Sequence, residues 1–390
     1  MPKKIKICVI FGGRSGEHEV SLVSASSIIA ALAADGRKII EIGITRSGQW
    51  YTGENCLEAF KKQKFDSLER VSLSTNPENP GIFIEDEEFA RSARSHYLSS
   101  NPSGRLGKFI QIDFAFPVLH GPFGEDGTIQ GLFEILQIPY AGSGVLASST
   151  AMDKIQTKAL LKANGIPVVP SIGINRLAWG KEKKPILSDI KENIGFPCFV
   201  KPSNMGSSVG ISKVKKFEDL ESAVNLACEF DSRILIEKAI NAREIECAVL
   251  GNDDLIAAPV GEVIVGGEFY DFYDKYVNGV STTEVPANID KDVSDKIRNM
   301  SMKAYKILDC SGLSRVDFLL DRVTGEIYLN EINTMPGFTS ISMYPKMMKE
   351  AGIGYEELVD RLVELGIERF KERRKNKVGF DSGSDWYLKN

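Results

Sequence analysis

The stretch from Arg315 to Ser342, RVDFLLDRVTGEIYLNEINTMPGFTSIS, constrains the fold of this chain more than any other part. It contains a run of strand-type apolar residues, a turn at Gly325 and a second strand that ends just before Pro336. This pattern is typical of two antiparallel strands joined by a short turn. The sequence therefore predicts a β-hairpin that leads directly into a Pro-Gly turn.

Side chains alternate between the two faces of a strand, so the pattern predicts which residues meet across the hairpin. The sets that should share a face are Arg315, Asp317 and Leu319 on the first strand and Leu329, Glu331 and Asn333 on the second. Two carboxylates and an amide form an all-oxygen set that suits Mg²⁺, which takes further ligands from water and phosphate. A solvated acidic surface is the plainer alternative, but the intervening apolar residues favour a nucleotide-metal site. Arg315 on the same face predicts an anionic ligand.

Length and composition exclude several classes of protein. A chain of 390 residues is long enough for two or three domains, and 43% hydrophobic with 26% charged residues is typical of a soluble globular protein. A net charge of -5 argues against a basic surface for nucleic acid or anionic membrane. We expect no signal peptide and no membrane span, and six scattered cysteines fit the cytoplasm.

The N-terminal region predicts a ligand-binding edge of an α/β sheet. A buried strand, IKICVIF, is followed by glycines and by a helix that starts near Glu17, where free N-H groups attract anions. Glu17 is either a capping acid or a ligand contact, and the sequence leaves both open. His120 ends the strand pattern FIQIDFAFPVLH and precedes a glycine-rich turn, so it should lie at the same edge. Residues 54–108 form a polar insertion in which we expect little chemistry.

Two lysines stand out in the middle of the chain. Residues 142–147 match G-x-G-x-x-A but lack the acid of a dinucleotide fold, which indicates a turn into a helix from about Gly144 to Asn164 that carries Lys154. Lys201 ends the apolar strand FPCFVKP, and a glycine-serine loop, residues 203–210, follows it. Such a loop can lay N-H groups and hydroxyls over phosphate oxygens, although an ordinary flexible hairpin would also explain its glycines.

Taken in order, these motifs resemble those of the D-alanine-D-alanine ligases, which belong to the ATP-grasp superfamily. The motifs are GGRSGEHEVS, LHGPFGEDGTIQG, MDK, VKPSNMGSSVG, LIEK, YDFYDKY, SRVDFLL and NEINTMPGFTSISMYP. The resemblance implies an α/β fold of three domains with ATP held between the central and C-terminal sheets. The implied segments are an N-terminal domain at 1–142, a central subdomain at 143–239, a C-terminal subdomain at 240–372 with a lid loop at 266–284, and a tail at 373–390.

The resemblance also implies roles for individual residues. Those implied to act in catalysis are Glu17, Ser207, Tyr276, Arg315, Gly337 and Ser342. Those implied to hold the amino-acid substrates are Glu17, His120, Lys275, Arg315 and Ser342. Those implied to bind ATP are Lys154, Lys201, Ser207, Ser208, Glu237, Lys238, Ala239, Ile240, Glu244, Phe269, Lys275, Leu319, Asn330 and Glu331. Asp317, Glu331 and Asn333 are implied to hold two Mg²⁺ ions, for which Mn²⁺ is an alternative, and a monovalent cation is a further candidate cofactor.

The activity that the resemblance implies is ATP-dependent joining of two D-alanines through a D-alanyl phosphate, in the cytoplasm, for peptidoglycan precursors. It implies D-alanine and ATP as small-molecule partners, no nucleic acid or membrane partner, and a homodimer. A D-alanine-D-lactate ligase is the nearest rival within the superfamily, and the intact Lys275-Tyr276 pair argues against it. A non-catalytic nucleotide-binding protein is the rival from another class, and it has no need for both metal carboxylates and Arg315.

Overall fold

The structure is a computed structural model that describes residues 5–34, 36–85, 108–264, 282–377 and 379. These residues form ten α-helices and seventeen strands in three sheets. The mixed α/β class that the sequence predicts is confirmed. None of the helices in these ranges combines the length and the apolar character that crossing a membrane requires.

The first sheet has seven strands in the order β6-β5-β4-β3-β2-β1-β7. Its strands are β1 Lys6–Gly12, β2 Lys38–Ile44, β3 Trp50–Thr52, β4 Glu69–Leu73, β5 Gly81–Ile84, β6 Phe109–Gln111 and β7 Phe114–Val118. Its helices are α1 His18–Ala34, α2 Cys56–Lys61 and α3 Thr128–Ile135. Strand β1 pairs in parallel with β2 and β7. Strands β1 and β7 are largely apolar and buried, as parallel strands usually are.

The continuous strand expected from FIQIDFAFPVLH is wrong, because β6 and β7 lie at opposite ends of the strand order. Only residues 112 and 113 separate these two strands. Since two residues span less than about 11 Å, the sheet must curl until its two edges approach each other. The described part of the 54–108 insertion contributes β4 and β5 to this sheet.

The second sheet has four antiparallel strands in the order β10-β9-β11-β8. They are β8 Ser171–Asn175, β9 Cys198–Pro202, β10 Ser212–Val214 and β11 Arg233–Lys238. Four helices accompany them in the chain: α4 Val145–Met152, α5 Lys154–Ala163, α6 Arg176–Asn193 and α7 Leu220–Phe230. The single helix expected from Gly144 to Asn164 is therefore wrong. The chain breaks at Asp153, whose extended backbone and side chain cap α5 by accepting from the N-H groups of Ile155 and Gln156.

The third sheet has the order β15-β14-β12-β16-β17, and β13 pairs with β12. Its strands are β12 Ala242–Gly251, β13 Ile256–Ala257, β14 Gly261–Ile264, β15 Thr282–Glu284, β16 Gly312–Asp321 and β17 Ile327–Asn333. The helices that follow or precede them are α8 Lys291–Ile307, α9 Met343–Glu350 and α10 Tyr355–Arg373. Strands β16 and β17 are the predicted hairpin, and their antiparallel pairing confirms it.

One apolar core joins the two ends of the chain. Leu358 and Leu362 of α10 are fully buried in the same cluster as Val9 and Phe11 of β1. The C-terminal helices thus pack against the first sheet as well as the third. This packing fixes the glycine turn after β1 relative to the hairpin, and both contribute to the site described next.

Candidate active site

The hairpin brings its acids together as predicted, and Arg315 lies among them. Asp317 faces Glu331 across the strands, and Arg315 faces Asn333. The Arg315 guanidinium donates two hydrogen bonds of 2.7 Å to the Asp317 carboxylate and approaches Glu246 Oε2 at 3.2 Å. The Asn333 amide donates to Asp317 at 2.9 Å. Burial opposes the charge of Arg315, but Asp317 and Glu246 raise its pKa well above the ordinary value.

A β-bulge alters the second strand of the hairpin. The register shifts so that Phe318 pairs with Leu329 while Asp317 pairs with Glu331, which leaves Asn330 as the extra residue. Leu329 is consequently buried in the apolar core and does not share a face with Glu331 and Asn333. That part of the sequence prediction is wrong, because alternation holds only where the ladder is regular.

Lys154 connects the glycine-serine loop to the hairpin. Its ammonium group donates to the Met205 carbonyl oxygen at 2.8 Å and lies 3.8 Å from Glu331 Oε2. Lys154 is the first residue of α5, so its position depends on the helix break at Asp153. The loop, the helix start and the metal-type acids therefore converge on one point.

Lys201, which precedes the same loop in the chain, forms a buried ion pair with Glu237. Its ammonium group contacts Glu237 Oε1, and a further lysine, Lys158, lies 3.0 Å from Glu237 Oε2. Burial alone would raise the pKa of Glu237, but the two ammonium groups outweigh it and lower that pKa to about 2. Glu237 also raises the pKa of Lys201 in spite of its burial, whereas burial lowers the pKa of Lys158.

Glu17 links the first glycine turn to the glycine-serine loop. The Ser207 hydroxyl donates to Glu17 Oε1, and two glycines pack against the carboxylate. A Cβ atom at Gly121 or at Gly206 would lie 2.7 Å from Glu17 Oε2, so a larger residue at either position would displace the acid. Ser207 itself has a positive φ of 48°, a strained conformation of the kind that concentrates at functional sites.

His120 and Glu125 join the N-terminal region to the turn after the hairpin. His120 Nδ1 donates to the Met335 carbonyl oxygen at 3.0 Å, and its Nε2 lies 3.1 Å from Ser24 Oγ. Burial lowers the pKa of His120. Glu125 accepts from the N-H groups of Gly121 at 2.7 Å and Met335 at 3.2 Å. Burial, followed by the charge of Glu17, raises the pKa of Glu125 to about 8.

Gly337 and Ser342 lie close together in the segment between the hairpin and α9. A Cβ atom at Gly337 would lie 3.4 Å from Ser342 Oγ, so the two residues are in contact. The Ser342 hydroxyl lies 2.8 Å from Thr339 Oγ1 and accepts from the Thr339 N-H at 3.1 Å. Ser342 also directly precedes α9, so the N-terminus of this helix lies next to Ser342.

Other residues implied to bind ATP lie at the end of β11 and on two strands of the third sheet. Lys238 ends β11, Glu244 lies on β12, and Glu244 pairs with Leu319 of β16. The Ala239 N-H donates to the Pro197 carbonyl oxygen at 3.0 Å. A nucleotide contact at Ala239 would therefore use its carbonyl oxygen. Ile240, which follows Ala239, and Asn330 on β17 are both half-buried. Ser208 adjoins Ser207 and has a positive φ of 59°.

Three predicted residues, Phe269, Lys275 and Tyr276, lie outside the described residues, as does all of the predicted lid except 282–284. Their roles stay predictions.

Sequence reasoning missed three charged residues of this cluster: Glu125, Lys158 and Glu246. Glu125 stands five residues after His120 in the glycine-rich turn, a signal that could have identified it. Lys158 lies four residues after Lys154 on the same helix, and this helical spacing could also have identified it. Glu246 alternates with apolar residues on β12 and gave no signal beyond that.

The donor set on the hairpin fits a hard divalent cation. Asp317, Glu331 and Asn333 offer oxygen ligands within one small region, and the Asn333 nitrogen points at Asp317, which leaves its carbonyl oxygen for another partner. Among the described residues no group of three or more His, Cys, Asp or Glu side chains is arranged to hold a metal. A cation here would accordingly need ligands from a nucleotide and water.

Comparison with known proteins identifies the family to which this chain belongs. Sequence models described as D-ala D-ala ligase N-terminus and C-terminus match residues 6–143 and 160–364. The chain is 46% identical over 373 residues to a D-alanine-D-alanine ligase from Heliobacterium modesticaldum, covering 96% of this chain and 97% of that protein. The chain belongs to the D-alanine-D-alanine ligase family. A second relative with that name, from Acetivibrio thermocellus, is 43% identical over 96% of this chain and 99% of its own length.

Solved structures of this family share the fold. The structure of the VanG D-Ala:D-Ser ligase from Enterococcus faecalis superposes with a TM-score of 0.79 at 37% identity, over 93% of this chain and all of that one. A D-alanine-D-alanine ligase from Coxiella burnetii superposes with a TM-score of 0.77 at 32% identity, over 96% and 97% of the two chains. The predicted family and ATP-grasp fold class are confirmed.

Proposed function

We propose that this protein joins two molecules of D-alanine into D-alanyl-D-alanine while ATP is converted to ADP and phosphate. Family membership over nearly the whole chain supports this function. The structural observation that carries it is the contact of Lys154 with both the glycine-serine loop and Glu331. This contact joins a loop that is suited to binding phosphate to a hairpin that is suited to binding a divalent cation. Phosphoryl transfer requires both.

In the first step, the carboxylate of one D-alanine attacks the terminal phosphorus of ATP, and ADP leaves. An acyl phosphate results. Lys154 and Lys201 are proposed to bind the phosphate oxygens as point charges. Glu17, held by Ser207 and close to Gly121, is proposed to bind the ammonium group of this first D-alanine, with His120 nearby.

In the second step, the amine of the other D-alanine attacks the acyl carbon, and phosphate leaves with one of the original carboxylate oxygens. Negative charge develops on the carbonyl oxygen, and Arg315 together with the Gly337 N-H is proposed to stabilise it. Ser342 and the N-terminus of α9 are proposed to hold the carboxylate of the second D-alanine. Lys275 and Tyr276 are proposed to close the site against water, because water would hydrolyse the acyl phosphate.

Asp317, Glu331 and Asn333 are proposed to hold the divalent cations, which are Mg²⁺ or Mn²⁺. Such ions neutralise charge on the transferred phosphoryl group. Because Arg315 occupies both oxygens of Asp317, it would have to share that carboxylate when an ion binds. The same proposal includes two such ions and a monovalent cation. It also includes a homodimer, a cytoplasmic location and the predicted domain boundaries.

D-serine and D-lactate are the alternatives to D-alanine as the second substrate. Similarity to the D-Ala:D-Ser ligase makes D-serine a second candidate for the attacking amine. D-lactate would attack through a hydroxyl, and the Lys275-Tyr276 pair of the sequence argues against it. An amine attacks only as the free base, so ligation of D-alanine should rise from about pH 6 toward pH 9.

The test is to supply D-alanine and ATP with D-serine and D-lactate together at pH 6 and pH 9, and to identify the products by mass. D-alanyl-D-alanine as the main product supports the proposal. A D-alanyl-D-serine product would assign the D-serine function, and a depsipeptide as main product would place the protein with the lactate-using enzymes.

A further inference from the structure

Lys158 lies buried next to the proposed nucleotide site without being part of the motifs that identify it. It follows Lys154 by one turn on α5, and its ammonium group is 3.0 Å from Glu237 Oε2. The side chains of Lys158 and Glu237 are only 4% and 2% exposed. Lys201 contacts the other oxygen of the same carboxylate. One buried acid therefore faces two ammonium groups.

Lys201 therefore shares the carboxylate that it contacts with a second ammonium group. Glu331 also acts electrostatically on both lysines, and Glu244 acts on Lys201, while Lys154 lies beside Glu331. The three lysines and the three acids balance in formal charge, but the charge of Glu237 is divided between two ammonium groups. Lys201 is thus not neutralised by an acid of its own and can attract a phosphate group.

We infer that Lys158 is a positioning residue for the nucleotide: by holding one oxygen of Glu237, it prevents Glu237 and Lys201 from forming a closed neutral pair. Lys201 then keeps part of its charge for the phosphates. The inference rests on the proposed nucleotide site, and it assigns to Lys158 no contact with the substrate itself. A purely structural role, in which Lys158 only neutralises Glu237 so that the chain can fold, is the alternative.

The first experiment measures the affinity of Mg²⁺-ADP by calorimetry and the KM for ATP in three variants. Lys158→Met should weaken both by about tenfold while kcat changes by less than about threefold, since the effect is on binding. Lys158→Arg keeps the charge and should stay within about threefold of the wild type. Lys162→Met is the matched control, because Lys162 is exposed one turn further along the same helix, and it should change nothing.

The second experiment distinguishes positioning from simple loss of a positive charge. We would introduce Lys158→Met into a Glu237→Gln background and compare its effect there with its effect in the wild type. If Lys158 acts through Glu237, the tenfold loss should shrink to about threefold or less. Equal losses in the two backgrounds would show that Lys158 acts as a remote charge and would overturn the inference.

Two further outcomes are decisive. If Lys158→Met does not fold, Lys158→Arg and the double variant Lys158→Met/Glu237→Gln decide. The inference is supported if Lys158→Arg binds ADP with near-normal affinity and the double variant binds it as tightly as Glu237→Gln does. A tenfold loss of ADP affinity in both overturns it. If the wild type binds ADP but forms no dipeptide, the proposed function fails while the calorimetric test of Lys158 still stands.

Discussion

The guanidinium group of Arg315 covers the carboxylate of Asp317 with two hydrogen bonds of 2.7 Å. The same two residues are proposed to serve different partners, the developing oxyanion and a divalent cation. In the arrangement described, each therefore neutralises the other. An incoming cation at Asp317 would leave Arg315 with Glu246 as its remaining acid and more charge to direct toward the substrate.

Arg315→Lys should preserve the positive charge but lose the two-pronged contact. We expect kcat to fall by about 100-fold, in the range found when one oxyanion donor is removed, with the KM for ATP within about threefold. Arg322→Lys is the control, because Arg322 is exposed at the end of β16. An unchanged kcat in Arg315→Lys would remove Arg315 from the chemical step.

Glu331→Gln should lose nearly all turnover, because a neutral amide holds a divalent cation more weakly than a carboxylate does, and that cation neutralises the phosphate charge. The variant should also bind ADP with little response to Mg²⁺, which calorimetry measures without any turnover. Glu326→Gln is the matched control on the same hairpin, because Glu326 is exposed and its carboxylate accepts a hydrogen bond from the Tyr328 hydroxyl. Mg²⁺-dependent ADP binding of normal strength in Glu331→Gln would contradict the metal assignment.

Lys201→Ala should raise the KM for ATP by about tenfold or more, since a charge-assisted contact to phosphate is lost. Lys213→Ala provides a close control. Both ammonium groups lie over the ring of Phe199, at 5.4 and 6.0 Å from its centre, but only Lys201 contacts Glu237. Equal effects of the two substitutions on KM would show that Lys201 has no special relation to the nucleotide.

Glu125 should make stability depend on pH. Because its pKa is raised to about 8 in the folded protein, the fold holds the proton while the unfolded chain releases it above about pH 4.3. The contribution of Glu125 to stability is thus fully present below that pH and is lost as the pH rises through about 8.

The variant Glu125→Gln lacks this titration but loses a hydrogen bond, a constant difference of about 1 kcal/mol. We expect the stability of the wild type over Glu125→Gln to shrink between pH 5 and pH 9, measured by urea unfolding. A difference that stays constant over this range would mean that Glu125 is ionised in the fold throughout.

The hairpin and the lysine at the end of β9 could be predicted because their signals are local. Alternation identifies a strand, and a charged residue at the end of an apolar run indicates a site. The bulge at Asn330 could not be predicted, since it reflects how β17 fits against β16 and not the alternation of β17 itself. Regular alternation would place Leu329 on the same face as the acids, but the extra residue places it in the apolar core.

The lysines of α5 show the same limit more clearly. Lys154, Lys158 and Lys162 are spaced four residues apart, so the helical pattern treats them alike. In the fold they range from half-buried through buried to exposed. Burial of Lys158 depends on Glu237, about eighty residues away, and a single sequence does not reveal such an ion pair. The break at Asp153 depends equally on a distant partner, because Ser203 donates to its carboxylate at 2.8 Å.

The most direct test of the proposed reaction uses D-alanine labelled with ¹⁸O in both carboxylate oxygens. If the carboxylate is activated by phosphoryl transfer at this site, one labelled oxygen must leave with the phosphate, and the new amide carbonyl must keep the other. We therefore expect mass spectrometry to find one ¹⁸O in the released phosphate for each labelled dipeptide formed. Unlabelled phosphate, or label in AMP, would contradict the proposed mechanism.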